Sequence, residues 1–359
     1  MSFRSSASLL CLTTLVASPV LFGHGTVVSP ISRVYRVYQA NPDAPNFTLA
    51  ANAVAMDGTL SYYTWNELSR NIPDAVVAGL PMAFDYSPWV PDGQLASGGR
   101  VDPNSTEYPR TYAGLDQVTD AWPTTPVVAG STIEVDFLAT TPHDPSVWDV
   151  WLTTPDWDPN TALNWAQMEH LHRPVPALVS GHYKFDLVIP NDRLGHHVLW
   201  VAWHRDDPVG EVFFSTSDIL IEPAPPIGTP FCAAGANSVN PAGAQMLASG
   251  SVSVAANDLV LTAGPVAVPQ PGLFIHGSTQ TMQPFGEGFR CAAGNVTRVL
   301  PATVPDASGY LTVALDNTTN AGMGITAGAT RHFQCWYRDP GGGPSGFNLT
   351  DGLSVTFVP

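Results

Sequence analysis

Thr132-Ile-Glu-Val-Asp-Phe-Leu138 is the stretch that decides the fold class. Ile133, Val135 and Phe137 alternate with Thr132, Glu134 and Asp136. A period of two with one apolar face is the pattern of a half-buried strand. Downstream, Tyr183, Phe185, Leu187 and Ile189 alternate with Lys184 and Asp186 in the same way. Segments 197–203 and 211–221 read as further strands, the first apolar enough to be covered on both sides. The long stretch 36–120 between the first strand and this core carries a short helix expected around 49–56. It also holds turn signals such as Pro91-Asp92-Gly93 and Ser97-Gly98-Gly99. An insertion of that length inside a compact domain is usually functional.

Composition agrees with this reading. Charged residues make up 12% of the chain, against 31 Gly, 34 Pro and 10 Trp, which favours a loop-rich all-β protein over helical bundles. The formal net charge of −16 repels nucleic acid and anionic lipid and is compatible with a neutral substrate. The length suggests two domains. Glu222-Pro-Ala-Pro-Pro-Ile-Gly-Thr-Pro230 is the expected linker, because its prolines stiffen it and remove backbone donors. Beyond it, 251–262, 272–276, 310–315, 332–337 and 353–357 are short strand candidates, read as a second, small β-sandwich at 231–359. Cys232, Cys291 and Cys335 all fall in this part. They permit one disulfide with one thiol left over, and spacing does not say which pair forms.

The first residues read as a secretion signal. Arg4 gives a positive start, and the apolar run 9–16 is too short to cross a bilayer. A cut after Gly23 leaves His24 first, whereas a cut after Ser18 fits the small-x-small pattern better and leaves Pro19 first. No later segment is apolar enough to span a membrane, so a secreted, extracellular protein is expected.

Of the ten histidines, His170, His172, His182, His276 and His332 show no ligand spacing and read as surface or packing residues. His196 and His197 are adjacent on a strand, so their side chains face opposite sides and cannot easily share a metal. His24 differs. At a free N-terminus its α-amine and Nδ1 can close a chelate ring, and the amine titrates near neutrality. One more imidazole completes a planar set of three nitrogens, which suits Cu(II). Local spacing does not identify that second histidine.

His24-Gly-Thr-Val-Val-Ser-Pro-Ile-Ser-Arg-Val-Tyr35 resembles the mature start of bacterial lytic polysaccharide monooxygenases of auxiliary-activity family 10, the chitin-binding-protein type. The resemblance continues in order through Tyr63-Thr-Trp-Asn66, 90–98, 120–123, Ala139-Thr-Thr-Pro-His143, 163–165, 195–198, Trp203-His-Arg-Asp206 and 211–218. Each piece is weak, and the ordered set across 24–221 is specific. It implies an immunoglobulin or fibronectin-III-like β-sandwich with a loop and short-helix insertion. The signal peptide is then 1–23. The resemblance also implies one copper held by His24 and His143, with an external electron donor and dioxygen or hydrogen peroxide as co-substrate. The partner it implies is insoluble chitin or cellulose, cut oxidatively by a monomer. Phe213 matches the residue on the axial side of the metal, and Glu211 and Arg205 match positions around it. Tyr62, Tyr63 and Trp65 fall where relatives build a flat substrate face.

Two departures stand out. Thr141 replaces a small alanine common near the axial face, and Arg36 and Ala96 stand where relatives carry cysteines. Taken alone, Phe213 reads equally as core, and Glu211 with Arg205 as an ordinary ion pair. Two rival classes remain at this level: a non-catalytic chitin- or cellulose-binding module, and a hydrolase, for which no acid–base carboxylate pair stands out. The C-terminal part, with Phe285-Gly-Glu-Gly-Phe-Arg-Cys291 and Phe333-Gln-Cys-Trp-Tyr-Arg-Asp-Pro340, resembles a module that recurs at the ends of secreted bacterial proteins. Trp336 and Tyr337 are neighbours on a strand, so at least one of them should be core.

Overall fold

The computed structural model describes residues 23–72, 84–206, 209–322 and 324–359. The expected signal segment, apart from Gly23, and residues 73–83 of the insertion lie outside the described residues. The chain divides into two compact units, Met1–Ala224 and Pro225–Pro359.

The first unit opens with β1 (His24–Ser29), then α1 (Arg33–Gln39), α2 (Thr48–Asp57), α3 (Thr59–Tyr63) and β2 (Ser69–Asn71). The strands β3 (Thr125–Val128), β4 (Thr132–Thr141), β5 (Ser146–Thr153), β6 (Met168–His172), β7 (Leu178–Val179), β8 (His182–Val188), β9 (Gly195–Arg205) and β10 (Glu211–Glu222) follow. Among the described residues, one sheet has the order β1-β4-β8-β7 and the other β2-β10-β9-β5-β6, with β3 beside β10. The two alternating runs are antiparallel neighbours, Val135 opposite Phe185 and Phe137 opposite Tyr183. Their apolar faces meet the second sheet in a core that includes Val27, Phe137, Trp148, Tyr183, Val201, Trp203 and Phe213.

β9 lacks alternation because both of its faces are covered. Leu199, Val201 and Trp203 enter the core between the sheets. Val198, Trp200 and Ala202 enter a second core beneath the insertion, with Tyr62, Tyr86, Tyr112 and Phe214. The expected helix at 49–56 is α2. The helices α1 and α3 were not anticipated, because each runs for under two turns, too short for a 3.6-residue period to show.

A buried ion pair ties α1 to the second sheet. Arg33 Nε and Nη2 donate to the two oxygens of Asp218 at 2.7 and 2.8 Å, and His196 Nε2 lies 2.8 Å from the same carboxylate. His197 turns the other way to Thr153 Oγ1, at 2.9 Å, so the adjacent histidines do part company.

The second unit holds β11 (Thr229–Phe231), β12 (Gln245–Ser249), β13 (Val260–Gly264), β14 (Gly272–Gly277), β15 (Thr279–Phe285), β16 (Gly288–Ala293) and β17 (Thr297–Thr303). It closes with β18 (Leu311–Ala314), β19 (Thr330–Arg338), β20 (Phe347–Leu349) and β21 (Gly352–Thr356). Its larger sheet runs β11-β21-β19-β14-β17 with β20 on β19, and a three-stranded sheet runs β12-β13-β18. They pack through Leu261, Phe274, Phe333, Cys335, Tyr337 and Val355.

Two expectations need correction here. The strand expected at 251–262 begins only at Val260. Asn257 has a φ of 49° and Asp258 accepts from the Ser251 amide and hydroxyl, which folds that segment into turns. The linker is shorter than 222–230, because Glu222 ends β10 and Thr229 and Pro230 pair with β21. Tyr337 is core, while Trp336 is half-buried beside Phe347, ring centroids 5.7 Å apart. The open cysteine question resolves as a Cys232–Cys291 disulfide with Cys335 a buried free thiol.

Burial alone would push the Asp218 carboxyl up, but the Arg33 charge and hydrogen bonds from Arg33 and His196 hold it below the usual carboxylate range. A carboxyl depressed in the fold contributes stability that is present above its unfolded pKa and lost as pH falls through the folded one. Asp218→Ala leaves Arg33 buried without its carboxylate and should cost about 3–5 kcal/mol at neutral pH. Urea unfolding of native and variant chains checks this, and the gap between them should narrow in strong acid. A variant as stable as the native chain at pH 7 would show the pair to be idle.

Candidate metal centre

The site forms where the start of β1 lies on the end of β4. His24 is the register partner of Thr141, and His143 follows two residues later in the turn leading to β5. The Thr141 hydroxyl lies 3.3 Å from His24 Nδ1, within hydrogen-bonding reach. Nδ1 therefore faces the β4 end that leads to His143. Burial holds the His24 imidazole below its ordinary pKa, opposed by the Glu211 carboxylate and aided by the Arg205 and Arg110 charges. The ring is thus neutral at neutral pH, the form in which imidazole ligates a metal.

The second sheet supplies the opposite wall. Phe213, fully buried on β10, meets the His24 ring edge-on at 6.3 Å between centroids and packs on Trp203 at 5.1 Å. Glu211 and Arg205 lie at the facing ends of β10 and β9. Arg205 Nη1 donates to Glu211 Oε2 at 2.7 Å, and Ser69 Oγ donates to Oε1 at 2.9 Å. The carboxylate is 8% exposed, so a fixed anion stands close enough to His24 to raise its proton affinity.

Gly23 passes between these groups. A Cβ there would come within 3.0 Å of Arg205 Cδ, 3.1 Å of Phe213 Cε2 and 3.2 Å of Trp203 Cη2, so position 23 suits glycine. While residue 23 is attached it lies against Phe213, and the His24 nitrogen is an amide with no lone pair to give. A cut after Gly23 would change both at once.

Among the described residues no three His, Cys, Asp or Glu side chains are grouped so as to hold a metal ion. A brace needs only two imidazoles and an amine, and the two histidines stand on adjoining chain ends beside an apolar ring. Imidazole and amine nitrogens suit copper, so the residues present fit once the amine is free.

The proposed substrate face needs a correction. Tyr62 is fully buried and donates to Asp57 Oδ2 at 2.6 Å. It faces Tyr112 in the core, because on α3 residues 62 and 63 point to different sides. Trp65 is nearly as buried, at 9%, and backs Tyr35 and Tyr38. Tyr63 alone of the three is exposed, at 43%, its hydroxyl donating to Asp43 at 2.6 Å. Nearby, Asn66 Nδ2 donates to Thr140 Oγ1 at 2.8 Å, and Thr140 Oγ1 donates to the His24 carbonyl at 3.4 Å. Glu67 pairs with Arg110.

Sequence reasoning missed Tyr183 as a site residue. Its hydroxyl donates to the His143 carbonyl at 3.0 Å, and its ring is buried against Trp148 and Trp203. Burial, with Asp144 beside it, pushes the phenol up to about 12, so it stays a donor. The residue reads in sequence only as a strand position, since the bond spans forty residues.

With this geometry in view, the family model described as "Lytic polysaccharide mono-oxygenase, cellulose-degrading" matches residues 24–219, more than half of the chain. The chain belongs to the lytic polysaccharide monooxygenase family. It is 27% identical over 227 residues to the chitin-binding protein CbpD of Pseudomonas aeruginosa, covering 60% of this chain and 52% of that one. It is 29% identical to a lytic cellulose monooxygenase of Streptomyces ambofaciens, covering 60% and 58%. The chain thus spans about half the length of the curated relatives it matches. Among solved structures, the cellulose-active CelS2 in complex with copper is similar at 26% identity and a TM-score of 0.44, covering 56% of this chain and all of that one.

Tyr183→Phe keeps the ring in the core and removes the bond to the turn that carries His143. Cu(II) affinity of the chain beginning at His24 should fall about tenfold, with a shifted Cu(II) electron paramagnetic resonance spectrum. Calorimetric titration beside that spectrum is the check, and no change in either would make Tyr183 simply a core residue.

Proposed function

We propose that this chain, cut between Gly23 and His24 and exported, is a copper-dependent monooxygenase that oxidatively breaks glycosidic bonds in crystalline chitin or cellulose. The observation that carries this reading is the placement of His24 on β1 against the end of β4, with the imidazole pKa lowered by burial and His143 two residues beyond its register partner.

Copper at this site supplies one-electron chemistry toward dioxygen or hydrogen peroxide, fed by an external electron donor. The protein contributes the rest. The α-amine and Nδ1 of His24 offer two nitrogens and the His143 imidazole a third. Thr141 stands beside Nδ1 and would border the metal held there. Phe213 closes one side with a ring that gives no ligand and admits no water. Glu211, held by Arg205 and Ser69, can hold or release a proton at Oε1 or Oε2 without leaving its place. Tyr63 stands out from the same end of the sandwich and offers an aromatic edge to an insoluble polymer. His24 and the turn that carries His143 lie at strand ends, where residues that would hold copper can meet a surface that cannot enter a cleft.

The experiment is product mass spectrometry on chitin and on cellulose, with a reductant, for the native chain and for His143→Ala. The native chain should release oxidised oligosaccharides from at least one polymer, and His143→Ala should release at least a hundredfold less. Binding to polymer without oxidised products would favour the non-catalytic module. Unoxidised, hydrolysed products would favour a hydrolase.

A further inference from the structure

We propose that the second unit binds a uronate, a sugar ring carrying one carboxylate, in a pocket formed by Ser278, Asn295, Thr297 and Arg331. Nothing else about the chain assigns a ligand to this unit, and the family model ends at residue 219. The pocket is independent of the copper reading.

The pocket lies at one end of the larger sheet, where β14, β17 and β19 meet. Thr297 is the register partner of His276, and Gly277 that of His332, which brings the ends of the three strands together. Its volume is about 300 Å³, at the small end for ligand sites, which suits one ring and not an extended chain. No Asp or Glu lines it.

Arg331 gives the pocket its charge. The unit's other arginines, Arg290, Arg298 and Arg338, are exposed and solvated, whereas Arg331 is half-buried. In the first unit, Arg33, Arg173, Arg193 and Arg205 each meet a carboxylate. Arg331 has no carboxylate partner among the described residues. One of its nitrogens donates to the Gly324 carbonyl, and its Nε is buried without a partner among the described residues. A guanidinium has five donors in a planar fork that matches a carboxylate edge. Most of that capacity is unused, and a half-buried cation without an anion is an incomplete pair.

The remaining walls choose between anions. His276 is buried and held neutral by desolvation, so the pocket carries a single positive charge and matches a monoanion better than a phosphate dianion. Ser278, Thr297 and the Asn295 amide offer neutral donors and acceptors of the kind that read sugar hydroxyls. Asn295 sits at a φ of 49° in the tight turn between β16 and β17, which leaves its side chain exposed. Val296, 46% exposed, adds an apolar contact for the carbon face of a ring.

The test uses the full chain without copper, so that no metal competes for carboxylate. Saturation-transfer NMR measures glucuronate, its neutral methyl ester, glucose and inorganic phosphate. Glucuronate should bind, with the methyl ester and glucose at least tenfold weaker. Arg331→Gln should lose glucuronate by at least tenfold, with thermal unfolding confirming that the variant is folded. Should that variant fail to fold, Thr297→Val, at the rim, should weaken glucuronate several-fold. The proposal is overturned if glucuronate does not bind the native chain, if the ester binds as well as the acid, or if phosphate binds more tightly than the sugar. Equal binding by every folded variant overturns it as well.

Discussion

The pairing of β1 with β4 is the contact on which the rest of the site depends. It is a short antiparallel ladder that sets residue 24 beside residue 141, and so sets the first residue of a strand beside a turn that carries a histidine. A free amine can serve as a ligand only if the chain starts on a rigid element, and β1 provides one. Val27 is fully buried between the sheets, and Ser215 Oγ accepts from its amide, so the strand cannot slide without breaking core contacts. A slip of one residue would turn His24 to the other face. The second sheet then brings Phe213, Glu211 and Arg205 to the same end because β9 and β10 are neighbours in register, Phe213 opposite Trp203.

The first unit does this without a disulfide. Arg36 and Ala96 stand where the family resemblance leads one to expect cysteines, and the insertion is held by buried polar groups. Asp218 joins α1 to β10. Asp149, fully buried on β5, takes Arg173, His170 and the Tyr86 hydroxyl, and Tyr86 also meets His204. His204 is buried and its pKa is pushed down to about 3, so it sits neutral against Tyr86, on the opposite face of β9 from Trp203. An acidic chain with few basic residues thus places several of its arginines and histidines on buried carboxylates. Such pairs add little net stability over apolar packing but make one arrangement of the insertion much better than its alternatives.

Most of the sandwich was legible because alternation is a local signal. Segments 132–138 and 183–189 state their faces outright, and β9 announces double burial by having no polar face. The second unit was harder. β15 is exposed along nearly its whole length, so it carries no alternation to read, and the turn at Asn257 interrupts a run that looked continuous. For the site, the chemistry of a terminal histidine singled out His24, but only the ordered family resemblance reached His143, because a residue 119 positions away leaves no spacing to read. Tyr62 was misplaced for a related reason. Adjacent aromatics look alike in sequence, and which of them faces out is set by a helix of five residues whose phase comes from tertiary packing.

The central claim is that the metal site exists only when His24 is the first residue. Calorimetric Cu(II) titration of two chains tests it most directly, one beginning at His24 and one at Pro19 with the five residues 19–23 retained. The account predicts one tight equivalent for the first. For the second it predicts affinity at least a hundredfold weaker, because the His24 nitrogen is then an amide and residue 23 lies on Phe213. Equal affinity for the two chains would contradict it and place copper, if anywhere, on other ligands.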